Sequence, residues 1–205
     1  MKNAILLLCS FFLFIGPDWA EEKKDSVQVR EIEPFWYCCV EMTGSYEQHN
    51  NAFQTLYEQA GAQSLGMDFV AFGIYYNSPE QVQESELKWE IGFELAEKTD
   101  VKAPLVLKEW KYTTMAVIPY EGSFSSEAFG LAYQKLFEWV GQNNYVVAGP
   151  AMEKYTSMPA QNSDGEWEGT LDMMLPVQKK SCCYKPFYLS SCIFFVIDPL
   201  SVESR

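Results

Sequence analysis

A carboxylate set among phenol rings can do two kinds of chemistry. It can hold a cation, through its own charge and the negative faces of the rings, or it can act as a general base that a hydroxyl helps to orient. The segment Gly149-Pro150-Ala151-Met152-Glu153-Lys154-Tyr155 has that make-up, with Glu153 two residues before Tyr155. A glutamate at a strand end is also a common solvent-facing residue, so the residues alone leave both readings open. Tyr75, Tyr76 and Tyr120 stand near expected strand ends as well. Tyr75 and Tyr76 are neighbours and face opposite ways on a strand, so at most one of them lines a groove. Trp89 and Trp167 recur 78 residues apart, each followed by Glu. Large rings at matching places pack a core more often than they touch a ligand. His49 is the only histidine and falls in the first turn of an expected helix, where it should be exposed. One histidine supplies neither a His-based metal cluster nor a catalytic dyad, and no G-x-S-x-G nucleophile elbow is present. No metal and no cofactor is expected.

The elements that must position these residues come in two similar runs. Thr43-Gly44-Ser45-Tyr46 recurs as Glu121-Gly122-Ser123-Phe124, and Tyr76-Asn77-Ser78-Pro79 has a looser echo in Tyr155-Thr156-Ser157-Met158-Pro159. Matches in one order at nearly one offset point to a duplicated module. In the first run, 27–42 is apolar and β-prone, and Gly44 permits a turn. Ser45 with Gln48 forms a capping box; Phe53, Leu56, Tyr57 and Ala60 fall at helical spacing, and Gly61 should end the helix. Residues 69–76 then read as a buried strand, and Leu87, Trp89, Ile91, Phe93 and Leu95 alternate as a half-buried one. The second run repeats the order: strand over 105–118, a helical stripe of Phe129, Ala132, Tyr133, Leu136 and Val140 closed by Gly141, and strands over 145–151 and 171–177.

Bulk properties narrow the partners. Hydrophobic residues make up 48% and aromatics 16%, which excludes a disordered chain. With 15 basic against 28 acidic residues the net charge is −13. Such a chain repels polyanions, so no nucleic acid partner is expected, and its field favours cationic or neutral ligands. Lys2, the apolar run over 4–16, and Pro17-Asp18-Trp19-Ala20 before a charged stretch follow the pattern of a secretory signal peptide over 1–20. The expectation is an exported protein, periplasmic or secreted. The run is shorter than the ~20 residues of a membrane span. Cys38, Cys39, Cys182, Cys183 and Cys192 remain beyond the leader, an odd number with no C-x-x-C. Residues 179–205 have no counterpart in the first run and read as a poorly ordered tail.

From about Val27 to Val177 the chain resembles the GyrI-like (gyrase-inhibitor-like) small-molecule-binding family, whose fold is related to the SOUL proteins. The carrying segments are Gly73-Ile74-Tyr75-Tyr76-Asn77-Ser78-Pro79, Trp89-Glu90-Ile91-Gly92-Phe93, Tyr120-Glu121-Gly122-Ser123, Ala132-Tyr133 with Leu136 and Trp139, the Gly149 to Tyr155 segment, and Leu175-Pro176-Val177. The resemblance implies an α+β fold. Two strand-helix-strand-strand modules, 27–98 and 105–178 within a domain of 21–178, are related by a pseudo-twofold axis. They form a curved antiparallel sheet with both helices on one side and a ligand groove along the other. It also implies that Glu153 lies at the pocket floor facing cationic ligands, with Tyr155, Tyr120, Tyr75, Tyr76 and Trp89 as ring candidates. The function so implied is binding of a hydrophobic small molecule, cationic or neutral. The alternative is a hydrolase using Glu153 as general base, since some relatives are reported to open reactive cyclic compounds. Where family members commonly carry a histidine before the second glycine turn, this chain has Tyr120-Glu121.

Overall fold

The structure, a computed structural model, describes residues 26–66 and 70–180. The expected leader over 1–20 lies outside the described residues. Of the expected tail only Lys179 and Lys180 are described, and Lys179 closes the last strand.

The first half comprises β1 (Gln28–Glu31), β2 (Phe35–Thr43), α1 (His49–Ala62), β3 (Ala71–Tyr75) and β4 (Lys88–Leu95). The second comprises β5 (Val106–Trp110), β6 (Thr114–Ser123), α2 (Ser126–Gln142), β7 (Tyr145–Val147), β8 (Ala151–Tyr155), β9 (Ala160–Gln161) and β10 (Trp167–Lys179). Both halves run strand, glycine turn, helix, strand, strand. Gly44 at φ +93° and Gly122 at φ +149° occupy backbone that side chains rarely tolerate, which explains a glycine at each turn. Ser125 caps α2 by accepting from the Ala128 amide at 3.3 Å. Ser45 instead caps a short 3-10 turn, Tyr46–Gln48, that leads into α1.

All strand pairings are antiparallel, in the order β1-β6-β10-β8-β3-β4-β2-β5. The halves therefore meet at β3 and β8, where Gly73 pairs with Glu153. Alternate residues of each strand face α1 or α2. Ala52, Leu56 and Ala60 of α1 pack on Cys38, Val40, Trp89, Ile91 and Phe93. Ala132, Leu136 and Val140 of α2 pack on Ala116, Ile118, Leu171, Met173 and Leu175. The intervening residues form a third core on the helix-free face, with Tyr37, Cys39, Phe72, Ile74, Trp110, Met115, Met152 and Met174. Cys38 and Cys39 are buried on opposite faces and unbridged.

Several expectations change in detail. The strand expected over 27–42 is broken at Pro34, and β1 crosses to pair with β6 of the second half. Likewise 105–118 is two strands, and β5 pairs with β2 of the first half. Each half thus lends its leading strand to the other, which local alternation cannot reveal. Neither Gly61 nor Gly141 ends its helix. The left-handed residues lie further on, at Ser64 (φ 55°) and Asn144 (φ 63°). The Trp-Glu echo is not a structural equivalence either. Gly44 bonds back to Leu87, whereas Gly122 pairs with Gly169. Counting two residues on from each, Trp89 corresponds to Leu171. Trp167 lies at the start of β10, 44% exposed.

Candidate ligand-binding site

By the same register Tyr75 corresponds to Tyr155, and Gly73 to Glu153. The junction of the halves thus carries one carboxylate and, across from it, a residue with no side chain. That absence has a use. A Cβ at Gly73 would lie 2.5 Å from the Tyr75 hydroxyl and 2.9 Å from its ring carbons, so glycine lets the Tyr75 ring fold along the sheet toward Glu153.

Strand alternation puts Glu153, Tyr75 and Tyr155 on the helix-bearing face, between α1 and α2. The carboxyl therefore does not face the helix-free side, where the groove was expected. Glu153 is 4% exposed. Tyr133 reaches down from α2 and donates to its Oε1 at 2.9 Å. The Tyr75 hydroxyl lies over Gly73, the cross-strand partner of Glu153, and Tyr155, two residues on from Glu153, shares its face. Phe53 of α1 and Phe124 meet the Tyr155 ring edge-on and tilted, with centroids 5.6 and 6.0 Å away. No lysine or arginine among the described residues pairs with Glu153. Burial pushes its pKa up to about 7, against the lowering effect of the two phenols. The same burial, with Glu153 nearby, raises Tyr75, Tyr133 and Tyr155 well above the usual phenol range.

The hydrogen bonds continue outward. Tyr75 Oη is 2.9 Å from His49 Nε2, and His49 Nδ1 meets the Tyr46 carbonyl oxygen. Contrary to the expectation of exposure, His49 is half-buried, its ring tilted over Trp89 at 4.4 Å between centroids. Desolvation lowers its pKa. Trp89 itself is 1% exposed, donates its Nε1 hydrogen to the Gly44 carbonyl and supports the His49 ring from beneath.

The other ring candidates lie elsewhere. Tyr76 points to the helix-free face and donates to Glu90 Oε1 at 2.6 Å. There Glu90, 1% exposed, also receives Tyr37 at 2.8 Å, Cys39 at 3.2 Å and Lys108 Nζ at 2.5 Å. That carboxylate is satisfied and charge-paired. Tyr120 bonds to the Ser123 carbonyl and borders a separate open groove of about 890 Å³ with Glu121, Met158 and Glu168 on its wall. The structure thus brings Glu153, Tyr75 and Tyr155 to one face, sets Trp89 across from Tyr75 and beneath His49, and leaves Tyr76 and Tyr120 apart. Sequence reasoning passed over Tyr133, His49 and Tyr46 as members of this cluster. The available signal was a phenol within the buried stripe of α2, because a hydroxyl at such a position needs a partner.

Comparison with known proteins agrees with this architecture. The profile of the GyrI-like small molecule binding domain matches residues 25–178. No curated protein matches the chain by sequence. The chain is similar in fold to EcmrR in its DNA complex, with a TM-score of 0.62 and 16% identity, over 77% of this chain and 59% of that one. It spans less than two thirds of that relative. A hydrolase of Listeria innocua aligns with a TM-score of 0.58 and 12% identity over 76% of this chain and 93% of its own. SAV2435, solved with tetraphenylphosphonium, aligns with a TM-score of 0.50 and 13% identity over 75% and 94%.

Proposed function

Because the chain belongs to the family of GyrI-like small-molecule-binding domains, we propose that it binds a hydrophobic organic cation above Glu153, among Tyr75, Tyr133, Tyr155 and Phe53. The observation that carries this reading is a carboxylate only 4% exposed, surrounded by phenols and matched by no cationic side chain among the described residues. A buried charge is costly unless something pairs it. A flat or ring-bearing cation supplies both the charge and a surface for the rings. The net charge of −13 adds long-range attraction for cations and argues against a nucleic acid partner. SAV2435 binds tetraphenylphosphonium, which makes that ion a suitable probe. The leader-like pattern over 1–20 supports action outside the cytoplasm.

The test is calorimetric titration of the parent and Glu153→Gln with tetraphenylphosphonium and with a neutral aromatic of similar size. In mildly alkaline buffer the substitution should weaken the cation by on the order of 2–5 kcal/mol. The neutral compound should lose only about 1 kcal/mol. Equal cation affinity in both proteins would refute the site.

A hydrolytic reading draws on one feature, a carboxyl whose pKa near 7 suits proton transfer at neutral pH. It requires product in excess of the protein when a reactive cyclic substrate is supplied, and loss of that turnover in Glu153→Gln.

A further inference from the structure

α1 packs on β2 and β4, and α2 packs on β6, β7 and β10, so the seam of β3 and β8 lies between the two helices. Side chains reaching from both helices roof that seam. The buried stripes of the helices correspond, Ala52, Leu56 and Ala60 of α1 to Ala132, Leu136 and Val140 of α2. The residues one step on correspond as well, Phe53 to Tyr133 and Tyr57 to Phe137. Residues four apart lie on one face of a helix, and these rings do meet. Phe53 and Tyr57 stack with 6.1 Å between centroids and 19° between planes, and Tyr133 and Phe137 lie at 6.2 Å and 32°. The inner ring of each pair is anchored at the seam. Phe53 meets Tyr155 edge-on at 5.6 Å, and Tyr133 donates to Glu153 Oε1 at 2.9 Å. The hydroxyl stands on the half that carries the carboxylate; the half with Gly73 in its place has Phe53. The outer rings stay in contact with water, Tyr57 partly buried and Phe137 49% exposed. Two matching ring pairs therefore flank one buried carboxylate, each with apolar surface still uncovered.

We propose that Tyr57 and Phe137 contact the ligand, and that the two ring pairs form two separate shelves for a cation carrying at least two aryl groups. This rests on the binding reading above and names the ligand class of that site. Pairing a charge requires only Glu153, and holding one ring requires only one ring pair. Two pairs, on different helices and anchored to different residues of β8, offer two independent ring surfaces. Each shelf takes one aryl group, offset or edge-on as the ring quadrupoles favour. The charged centre of the ligand then lies over the Glu153 carboxylate and near the negative faces of the inner rings. A one-ring cation satisfies the charge and a single shelf. A second aryl group adds affinity by covering the other shelf, and the exposed face of Phe137 has the most surface to remove from water. An aromatic pair four residues apart also steadies its own helix, a role that binding measurements separate from this one.

The test is calorimetry with tetraphenylphosphonium, which has several aryl groups, and with trimethylphenylammonium, which has one. The proteins are the parent, Tyr57→Ala, Phe137→Ala, the double variant and Glu153→Gln. Both outer positions are partly exposed, so the fold should persist, and circular dichroism checks it. Tetraphenylphosphonium should bind the parent more tightly than trimethylphenylammonium. Each single substitution should weaken tetraphenylphosphonium by about fivefold, and the double variant by about the product of the two, since separate shelves act independently. Trimethylphenylammonium should lose affinity in one single variant and keep it in the other. Equal affinity of the two cations for the parent overturns the two shelves. So does a lowered melting temperature in the single variants with cation affinity unchanged, which assigns the ring pairs to their own helices. Cation binding that is lost in Glu153→Gln and unchanged in the double variant removes this proposal and leaves the binding reading standing. Failure of both cations to bind the parent removes both.

Discussion

Glu153 and Glu90 are both buried carboxylates, placed in opposite electrical situations. Glu90 has an ammonium, two phenols and a thiol around it. Glu153 has phenols and, among the described residues, no charged partner. The first arrangement is closed by its own ion pair; in the second no cationic side chain among the described residues meets the carboxyl. The difference has a thermodynamic signature in the empty protein. Glu153 holds its proton more tightly folded than unfolded, with a pKa raised from 4.5 to about 7. Its contribution to stability is therefore complete below its unfolded pKa and is lost as pH rises through the folded one. Across that window the loss is about 3 kcal/mol. Glu153→Gln should match the parent in acid and exceed its stability in mildly alkaline buffer, as read from urea midpoints at a series of pH values. A constant difference between the two proteins would mean that Glu153 is not desolvated. Of this cluster, the glutamate and two of its rings were legible in the sequence, through the segment around Gly149 and the tyrosine at 75. Tyr133 and His49 were not, because their side chains arrive from two helices separated from β8 by turns and long connections. Helical spacing gives the face a residue occupies, not the strand residue beneath it.

At the scale of elements, two glycines have different consequences. At Gly92 a Cβ would lie 2.6 Å from the Cys38 carbonyl oxygen, which is backbone and cannot rotate away. Gly92→Ala should therefore push β4 from β2 and cost about 1–3 kcal/mol, measured by denaturant unfolding. At Gly73 the obstacle is the tip of the Tyr75 ring. Gly73→Ala should cost less stability and instead withdraw the Tyr75 hydroxyl from Glu153, moving the carboxyl pKa above its parent value. Carboxyl titration by NMR would read this; an unchanged pKa would show that Tyr75 does not need the space. Alternation on β4 and β10 and the stripes on both helices identified these elements correctly, since a half-buried strand and an amphipathic helix write their periods into the sequence. Helix ends were less legible. The left-handed residues just past α1 and α2 are Ser64 and Asn144, not the glycines at 61 and 141.

The whole molecule depends on the exchange of leading strands between its halves. β1 pairs with β6, and β5 with β2. Arg30 on β1 reaches Asp172 of β10 at 2.6 Å, and Lys108 on β5 reaches Glu90 of β4. The helix-free core is likewise built from both sides, with Phe72 and Ile74 from one half and Met115, Met152 and Met174 from the other. Fragments covering 26–100 and 101–180 should each lack a cooperative thermal transition by circular dichroism and regain one when mixed. Cooperative melting of either fragment alone would show that the exchange is dispensable.

The sequence by itself determined the class of fold, the two-part order of its elements and the segment holding the principal carboxylate. The order of elements depends on local periodicity and on glycines at the turns, whereas the fold and the choice of Glu153 rest on the family resemblance carried by short segments of the chain. The tertiary structure decided which face of the sheet Glu153 serves, which phenols and which histidine meet it, and that Trp89 corresponds to Leu171 and not to Trp167. Those outcomes depend on strand register. A shift of a few residues in a connection changes every cross-strand partner while leaving the local pattern intact.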